Sequence, residues 1–367
     1  MSLAAAEEAG VVPAATYARI LLAVEGTTGA DPAGAEHLLT TAEQALHRAG
    51  DEWGLALATF VRAEIGFRTG SLRQAEAERL AERAAAGFAG LGDRWGHSAV
   101  LGHHGTAVRV AGRPAEAVPL IERSARLAGE LGLLLTLQWM QAELAYCALL
   151  LDDRDTALRR CAEAEETARR LGAGPGASFA ALARGVDARR RGDLASARSV
   201  LAPAVEQLVA AGIGGLAAAL AVQLGHTLEQ SGELAAADRT HRRALELGGA
   251  AALPSALEGL ACVAVAGAVA GGAVAGGAVP GRAVPGRAVA GGAVAGGTVP
   301  GAGAERAAQL LGAAAAERDR AGRPADAVEQ ADRDRAMTAC RVLLGDERVA
   351  RALAEGRRTG PGPLVEG

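Results

Sequence analysis

Apolar positions along this chain recur with a helical period, and the helical runs themselves recur about every forty residues. Runs such as LALATFVRAEIGF before a turn and LASARSVLAPAVEQL after it place apolar residues at i, i+3, i+4 and i+7, the pattern of an amphipathic helix. Between them stand the turn motifs RTGSLRQA, VAGRPAEA, LLDDRDTA, RRGDLASA and QSGELAAA. Their reference residues Gly70, Gly112, Asp152, Gly192 and Gly232 are spaced by 42, 40, 40 and 40. Gly, or Asp at 152, suits the left-handed residue that ends a helix, and the Ser, Asp or Arg-Pro that follows can open the next. The pattern predicts a repeated helical hairpin.

Small residues recur where the two helices of a hairpin would touch. Ala63, Gly105, Ala145, Gly185 and Gly225 stand seven positions before the turn, and Ala75, Ala117, Ala157, Ala197 and Ala237 five after it. Twelve after it come Ser124, Ala164, Ala204 and Ala244, with Glu82 the exception. A large side chain at these places would force the backbones apart at a cost of about 1–3 kcal/mol. This trio of small positions around a turn glycine resembles the tetratricopeptide repeat, although its usual length is about 34 residues and these units are longer. The resemblance implies an all-α fold, a right-handed α-solenoid of about seven antiparallel helix pairs.

Residues 1–268 are expected to hold the repeats, with hairpins over 11–48, 53–90, 95–131, 133–171, 177–211 and 214–248 and the first helix of a last pair over 254–267. From Val269 a V-[A/P]-G-x-x pentad repeats through residue 303, where a short hairpin turn belongs. Val-Pro-Gly favours type II turns, so 269–303 is expected to be a disordered Gly/Ala/Val-rich loop, a duplication tolerated because loop closure entropy grows slowly with length. Residues 304–356 read as C-terminal capping helices and 357–367 as a disordered tail.

ALEGLACVA, then ERAAQLLGAAAAERDRAG and DRDRAMTACRVLLGDERVARALAEGR, resemble the end of the helical-repeat region of large actinobacterial transcription regulators, of the LuxR type or the antibiotic-regulatory-protein type with a nucleotide-binding switch domain. No G-x-x-x-x-G-K-[ST] loop stands here, so the resemblance implies an isolated sensor or interaction region, or a non-functional remnant of a larger regulator.

Composition narrows the classes further. Aromatics are 2% of 367 residues, so the core rests on Ala, Leu and Val. The net charge is -4, and acidic residues interleave with basic ones that are all Arg, which offers no patch for direct nucleic-acid binding. Cys147, Cys161, Cys262 and Cys340 form no CxxC pair and suit a reducing cytoplasm, and the N-terminus lacks a secretory pattern. Residues 260–279 are long enough to span a bilayer but too rich in Ala and Gly to favour insertion, so no membrane is expected.

The candidate chemistry is sparse. GHHG at 102–105 is metal-like, but adjacent helical residues point about 100° apart, and His97, seven before His104 and able to share its face, leaves the set without a third ligand. No catalytic triad or dinucleotide fingerprint appears, so no metal, no cofactor and no enzyme are expected, an enzyme within the groove being the weakest alternative. The Arg run 189–191 reads as a solvated helix end or as part of the groove.

In tetratricopeptide arrays the first helix of each pair lines a concave groove. Carrying over the positions thirteen, ten, six, three and two before the turn selects Phe60, Glu64, Arg109, Trp139, Tyr146, Phe179, Arg189, His226 and Glu229. Trp, Tyr and Arg are the residue types of binding hot spots, so this surface is the candidate site for a protein or peptide partner, such as a transcription regulator, or for a small-molecule effector. The same aromatics could instead be core, since an Ala-rich array needs bulk between its layers.

Overall fold

The computed structural model describes residues 12–26, 32–172, 178–275 and 300–366. Sixteen helices, and no strand, occur among the described residues. They are α1 (Val12–Gly26), α2 (Pro32–Ala49), α3 (Glu52–Thr69), α4 (Gln74–Gly90), α5 (Arg94–Val110), α6 (Pro114–Glu130), α7 (Leu134–Leu150), α8 (Arg154–Leu171), α9 (Ala181–Arg190), α10 (Leu194–Ala210), α11 (Gly214–Gln230), α12 (Leu234–Ala275), α13 (Pro300–Ala321), α14 (Ala327–Leu344), α15 (Asp346–Thr359) and α16 (Gly362–Glu366). The fold is an all-α array of tetratricopeptide-like helix hairpins. It divides into two compact units: Met1–Arg184 with Asp319–Asp326, and Gly185–Arg318 with Ala327–Gly367.

Each hairpin turn is built as its sequence predicts. Gly70, Gly112, Asp152, Gly192 and Gly232 all have positive φ, between 59° and 82°, and Asp152 is the one non-glycine residue with positive φ among the described residues. In four of these turns the amide just before the second helix reaches back to close the preceding one: Arg113 N donates to Val108 O, Asp153 N to Ala148 O, Asp193 N to Ala188 O and Glu233 N to Leu228 O. These six-to-one bonds satisfy carbonyls a helix end would otherwise leave open. Asp153 and Asp193 then accept from Thr156 N and Ser196 N and start the second helix.

The small positions are where helices meet. A Cβ on Gly105 would lie 2.5 Å from Ile121 Cγ1, and one on Gly185 would lie 2.5 Å from Leu201 Cδ2. The hairpin of α3 and α4 departs from the expected register. Its turn carries two extra residues, so α4 begins four residues after Gly70, whereas α6, α8 and α10 begin two after theirs. Ala75 and Glu82 are therefore exposed, and Ala77 and Ala84 take the buried interface positions. The two-residue excess in the 42 spacing explains the Glu82 exception.

Toward the C-terminus α12 breaks at Gly249, where φ is 51° and ψ is -137°. Its later half packs Leu257, Leu260, Ala261 and Val265 with Ala304, Ala308 and Leu311 of α13, so the last pair forms across the pentads. Residues 269–275 and 300–303, expected in a loop, are helical; 276–299 lie outside the described residues. The window of α12 that is long and apolar enough to cross a membrane is 61% buried inside the fold. Residues 357–366, expected to be disordered, complete α15 and form α16, where Leu364 and Val365 pack against the same apolar cluster.

Candidate functional site

In the first unit, α3, α5 and α7 present a half-buried aromatic wall. The Phe60 ring meets His103 edge-on with centroids 5.1 Å apart, and His103 meets Trp139 at 4.7 Å. His103 Nδ1 lies 2.5 Å from Glu64 Oε2. Burial by itself would raise the Glu64 carboxyl, but His103 and the nearby Arg68 outweigh it and hold the group below its usual range.

Nearer the turns, Arg109 Nε donates to Glu143 Oε2 at 2.7 Å and its guanidinium stands 4.9 Å from the Tyr146 ring centroid. The Tyr146 hydroxyl donates to Asp326 Oδ2 at 3.0 Å. Asp326 belongs to the segment 319–326, which lies on the turn ends of these hairpins. Arg323 in that segment sits 4.2 Å over the Phe67 ring and donates to the Phe67 carbonyl, and burial lowers its guanidinium to about 10. Phe179 is half-buried in the turn before α9, outside this wall.

The second unit fills the corresponding surface with a helix. Arg189 of α9 grips Asp332 of α14 through both guanidinium nitrogens, at 2.9 Å each, and donates to Gln223 Oε1 of α11 at 2.8 Å. His226 Nε2 is 3.7 Å from the same Asp332 carboxylate. Glu229 of α11 accepts two bonds from Arg335, at 2.8 and 2.7 Å. On α12, Glu258 receives Arg318 at 2.9 and 2.7 Å and has Arg333 at 3.3 Å, while Ser255 donates to Glu329. Arg189, His226 and Glu229 are thus buried by the chain's own α14, so Arg189 is not part of a solvated helix end.

Behind His226 lies His241, with ring centroids 5.0 Å apart. His241 stands nine residues after its turn, where the other hairpins carry Ile121, Cys161 and Leu201, and it fills the space left by Gly225 and Gly259. Burial lowers His226 to about 4 and drives His241 well down as well.

Sequence reasoning selected positions two, three, six, ten and thirteen before the turn but passed over position nine. That position supplies His103, Glu143 and Gln223, which face Glu64, Arg109 and Arg189 of the preceding hairpin. The signal was available as a pairing across repeats: Arg109 to Glu143 and Arg189 to Gln223 are each 34 residues apart. Asp326, Asp332, Arg335 and Glu258 left no such trace. Of the GHHG pair, His103 joins the wall while His104 is buried on a different face of α5, near Glu82 and Glu78, where burial lowers its imidazole. All four cysteines are buried thiols, and burial pushes Cys147 up to about 12 and Cys340 to about 11.

No family model matches this chain, and no curated protein does. Among solved structures, it is similar to a signal transduction ATPase with numerous domains that carries a tetratricopeptide repeat sensor, from Pyrococcus horikoshii. The match has 13% sequence identity and a TM-score of 0.49, and covers 71% of this chain. It spans 40% of the length of that protein.

Proposed function

We propose that this chain is a protein-interaction or effector-sensing module of a bacterial transcription-regulatory or signalling system, working in the cytoplasm and catalysing no reaction itself. The observation that carries the reading is the wall formed by Phe60, His103 and Trp139 on three successive first helices, with the Glu64 carboxylate beside it. Half-exposed rings packed edge to face beside a carboxylate suit a peptide or effector that presents an apolar group and a cation. Binding is favoured over catalysis because the charged groups of these inner surfaces are already engaged with one another or with a neighbouring polar group: Glu64 with the His103 imidazole, Arg109 with Glu143, Arg189 with Asp332, Glu229 with Arg335.

The test is capture from the native cytoplasm by the full chain and by a Phe60→Ala/Trp139→Ala variant of equal helicity. A transcription regulator or sensor-linked protein retained by the natural chain and reduced at least about tenfold by the variant is the expected result, since aromatic hot spots are worth roughly 2 kcal/mol or more. Equal capture by both would remove the wall from the reading. Capture by neither would favour a remnant of a larger regulator.

A further inference from the structure

The two halves of α14 are held by different chemistry. Its buried stripe is Val328, Asp332, Ala336, Cys340 and Leu344. Ala336, Cys340 and Leu344 enter the apolar cluster of Leu257, Ala304 and Leu311, and the Cys340 thiol reaches the Ala304 carbonyl at 3.6 Å. Residues 329–335 are instead held by ion pairs and hydrogen bonds: Glu329 with Ser255, Asp332 with Arg189, Arg333 with Glu258, Arg335 with Glu229. An apolar anchor locks a helix because exposing it costs free energy in water, whereas ion pairs exchange for hydration or for another partner's charges.

The geometry points to the N-terminal half of α14 as a built-in, exchangeable ligand of the second unit's inner surface, standing in for a partner helix that carries an acidic residue three positions ahead of a basic one. Three features support this. Asp332 and Arg335 are one helical turn apart and each makes a two-pronged bond to a first-helix residue, Arg189 on α9 and Glu229 on α11. Arg189 and Glu229 occupy the same place in consecutive repeats, three before the turn, so the surface itself carries a cation and then an anion in the order the docked helix complements. Gln223 and His226 add further polar contacts around the acidic residue. The C-terminal half of α14 keeps the opened segment tethered, so the internal ligand competes at high effective concentration and a partner must match its charges to displace it.

The test uses a fluorescein-labelled peptide spanning 324–338 and the full-length chain. An Asp332→Ala/Arg335→Ala variant, with helicity and melting cooperativity like those of the natural chain, is expected to bind the peptide at least tenfold more tightly than the natural chain does. A peptide carrying Asp332→Arg and Arg335→Asp is expected to bind that variant at least tenfold more weakly than the natural peptide. Equal binding of the two peptides, or binding of neither, would overturn the proposal. Should the variant fail to fold, hydrogen exchange on the natural chain decides: amides of 329–335 exchanging at least tenfold faster than those of 338–343 support it, and equal protection in both halves overturns it. Failure here leaves the reading of the Phe60, His103 and Trp139 wall untouched.

Discussion

The first helices of the two units use the same repeat positions for different ends. In the first unit, α3, α5 and α7 leave an aromatic wall half-exposed, and the short segment 319–326 meets their turn ends through Arg323 on Phe67 and Asp326 on Tyr146. In the second, α9, α11 and α12 are covered by α14, and the residues beneath it are charged and buried. The three residues at the same place, Arg109, Arg189 and Glu229, show the difference. Arg109 is satisfied by Glu143 from the neighbouring repeat, while Arg189 and Glu229 depend on charges brought by α14. A repeat array thus sets where a side chain points, and what arrives opposite it decides whether it serves as a binding surface or as a lock.

Acid separates the two units most strongly. His226 is held neutral by burial, with its value lowered from 6.5 to about 4, and the groups facing it are Asp332, Arg189, Arg335, Glu329 and the second buried imidazole, His241. A histidine with a lowered folded value takes up its proton more readily when unfolded. Its stabilisation is complete above 6.5 and is lost as pH falls from there toward 4. The loss is about 3 kcal/mol for His226 alone, and His241 adds to it in the same direction. Glu258, whose carboxyl burial holds above its usual range, works partly the other way. Urea unfolding followed by hydrogen exchange at pH 7 and pH 5 is expected to show the second unit weakening well ahead of the first. Equal loss in both units would break the comparison.

Removing Arg189 is the next largest effect. A buried carboxylate stripped of its partner ordinarily costs about 3–5 kcal/mol. If residues 329–335 open and hydrate Asp332, Arg189→Ala should cost only about 2 kcal/mol in global stability, with exchange at 329–335 speeding up. The Arg189→Leu/Asp332→Leu pair should recover most of the loss, because no charge is then left uncompensated. A loss of 5 kcal/mol without local opening would mean that α14 is locked along its whole length.

The extent to which the sequence revealed these surfaces follows from the range of the interactions. The hairpins, their left-handed turns and the small interface positions were legible because each rests on residues within one repeat, as Gly105 against Ile121 and Gly185 against Leu201 illustrate. Ala75 and Glu82 were misplaced because two inserted residues shift α4, which only the next repeat's frame exposes. Arg189, Glu229 and His226 were placed on the inner surface by repeat position, yet nothing in their own repeats announces Asp332 or Arg335, which lie 143 and 106 residues away from Arg189 and Glu229 respectively. Long-range polar pairing leaves no period to read.

His241 tests the interior of the second unit against its own repeats. Neither of its ring nitrogens has a hydrogen-bond partner among the described residues, and the side chain is wholly buried between Gly225 and Gly259. The preceding hairpin fills the same position with Leu201 against Gly185. His241→Leu keeps nearly the same volume and removes two uncompensated polar atoms, so stability at pH 7 should rise by about 1–2 kcal/mol. The pH 5 to pH 7 difference in urea midpoint should shrink as well. A destabilised variant would mean that the histidine has a polar role its packing does not explain.

The smallest effect is expected where the first unit meets its own short segment. Asp326→Ala removes the acceptor of the Tyr146 hydroxyl, a partly buried bond of 3.0 Å. Tyr146 keeps its contact with the Arg109 guanidinium, and Arg323 keeps its seat over Phe67, so neither ring is released. A single hydrogen bond of this kind is worth about 1 kcal/mol, and the freed hydroxyl lies close enough to the surface to be hydrated, which leaves a net global loss of under about 1 kcal/mol. The consequence should instead be local: faster tryptic cleavage after Arg320 while 329–335 keep their hydrogen-exchange protection. If Asp326→Ala loosened 329–335 as much as Arg189→Ala does, the two internal occupants would act as one element, and the contrast between an open wall and a filled surface would have to be redrawn as a single latch.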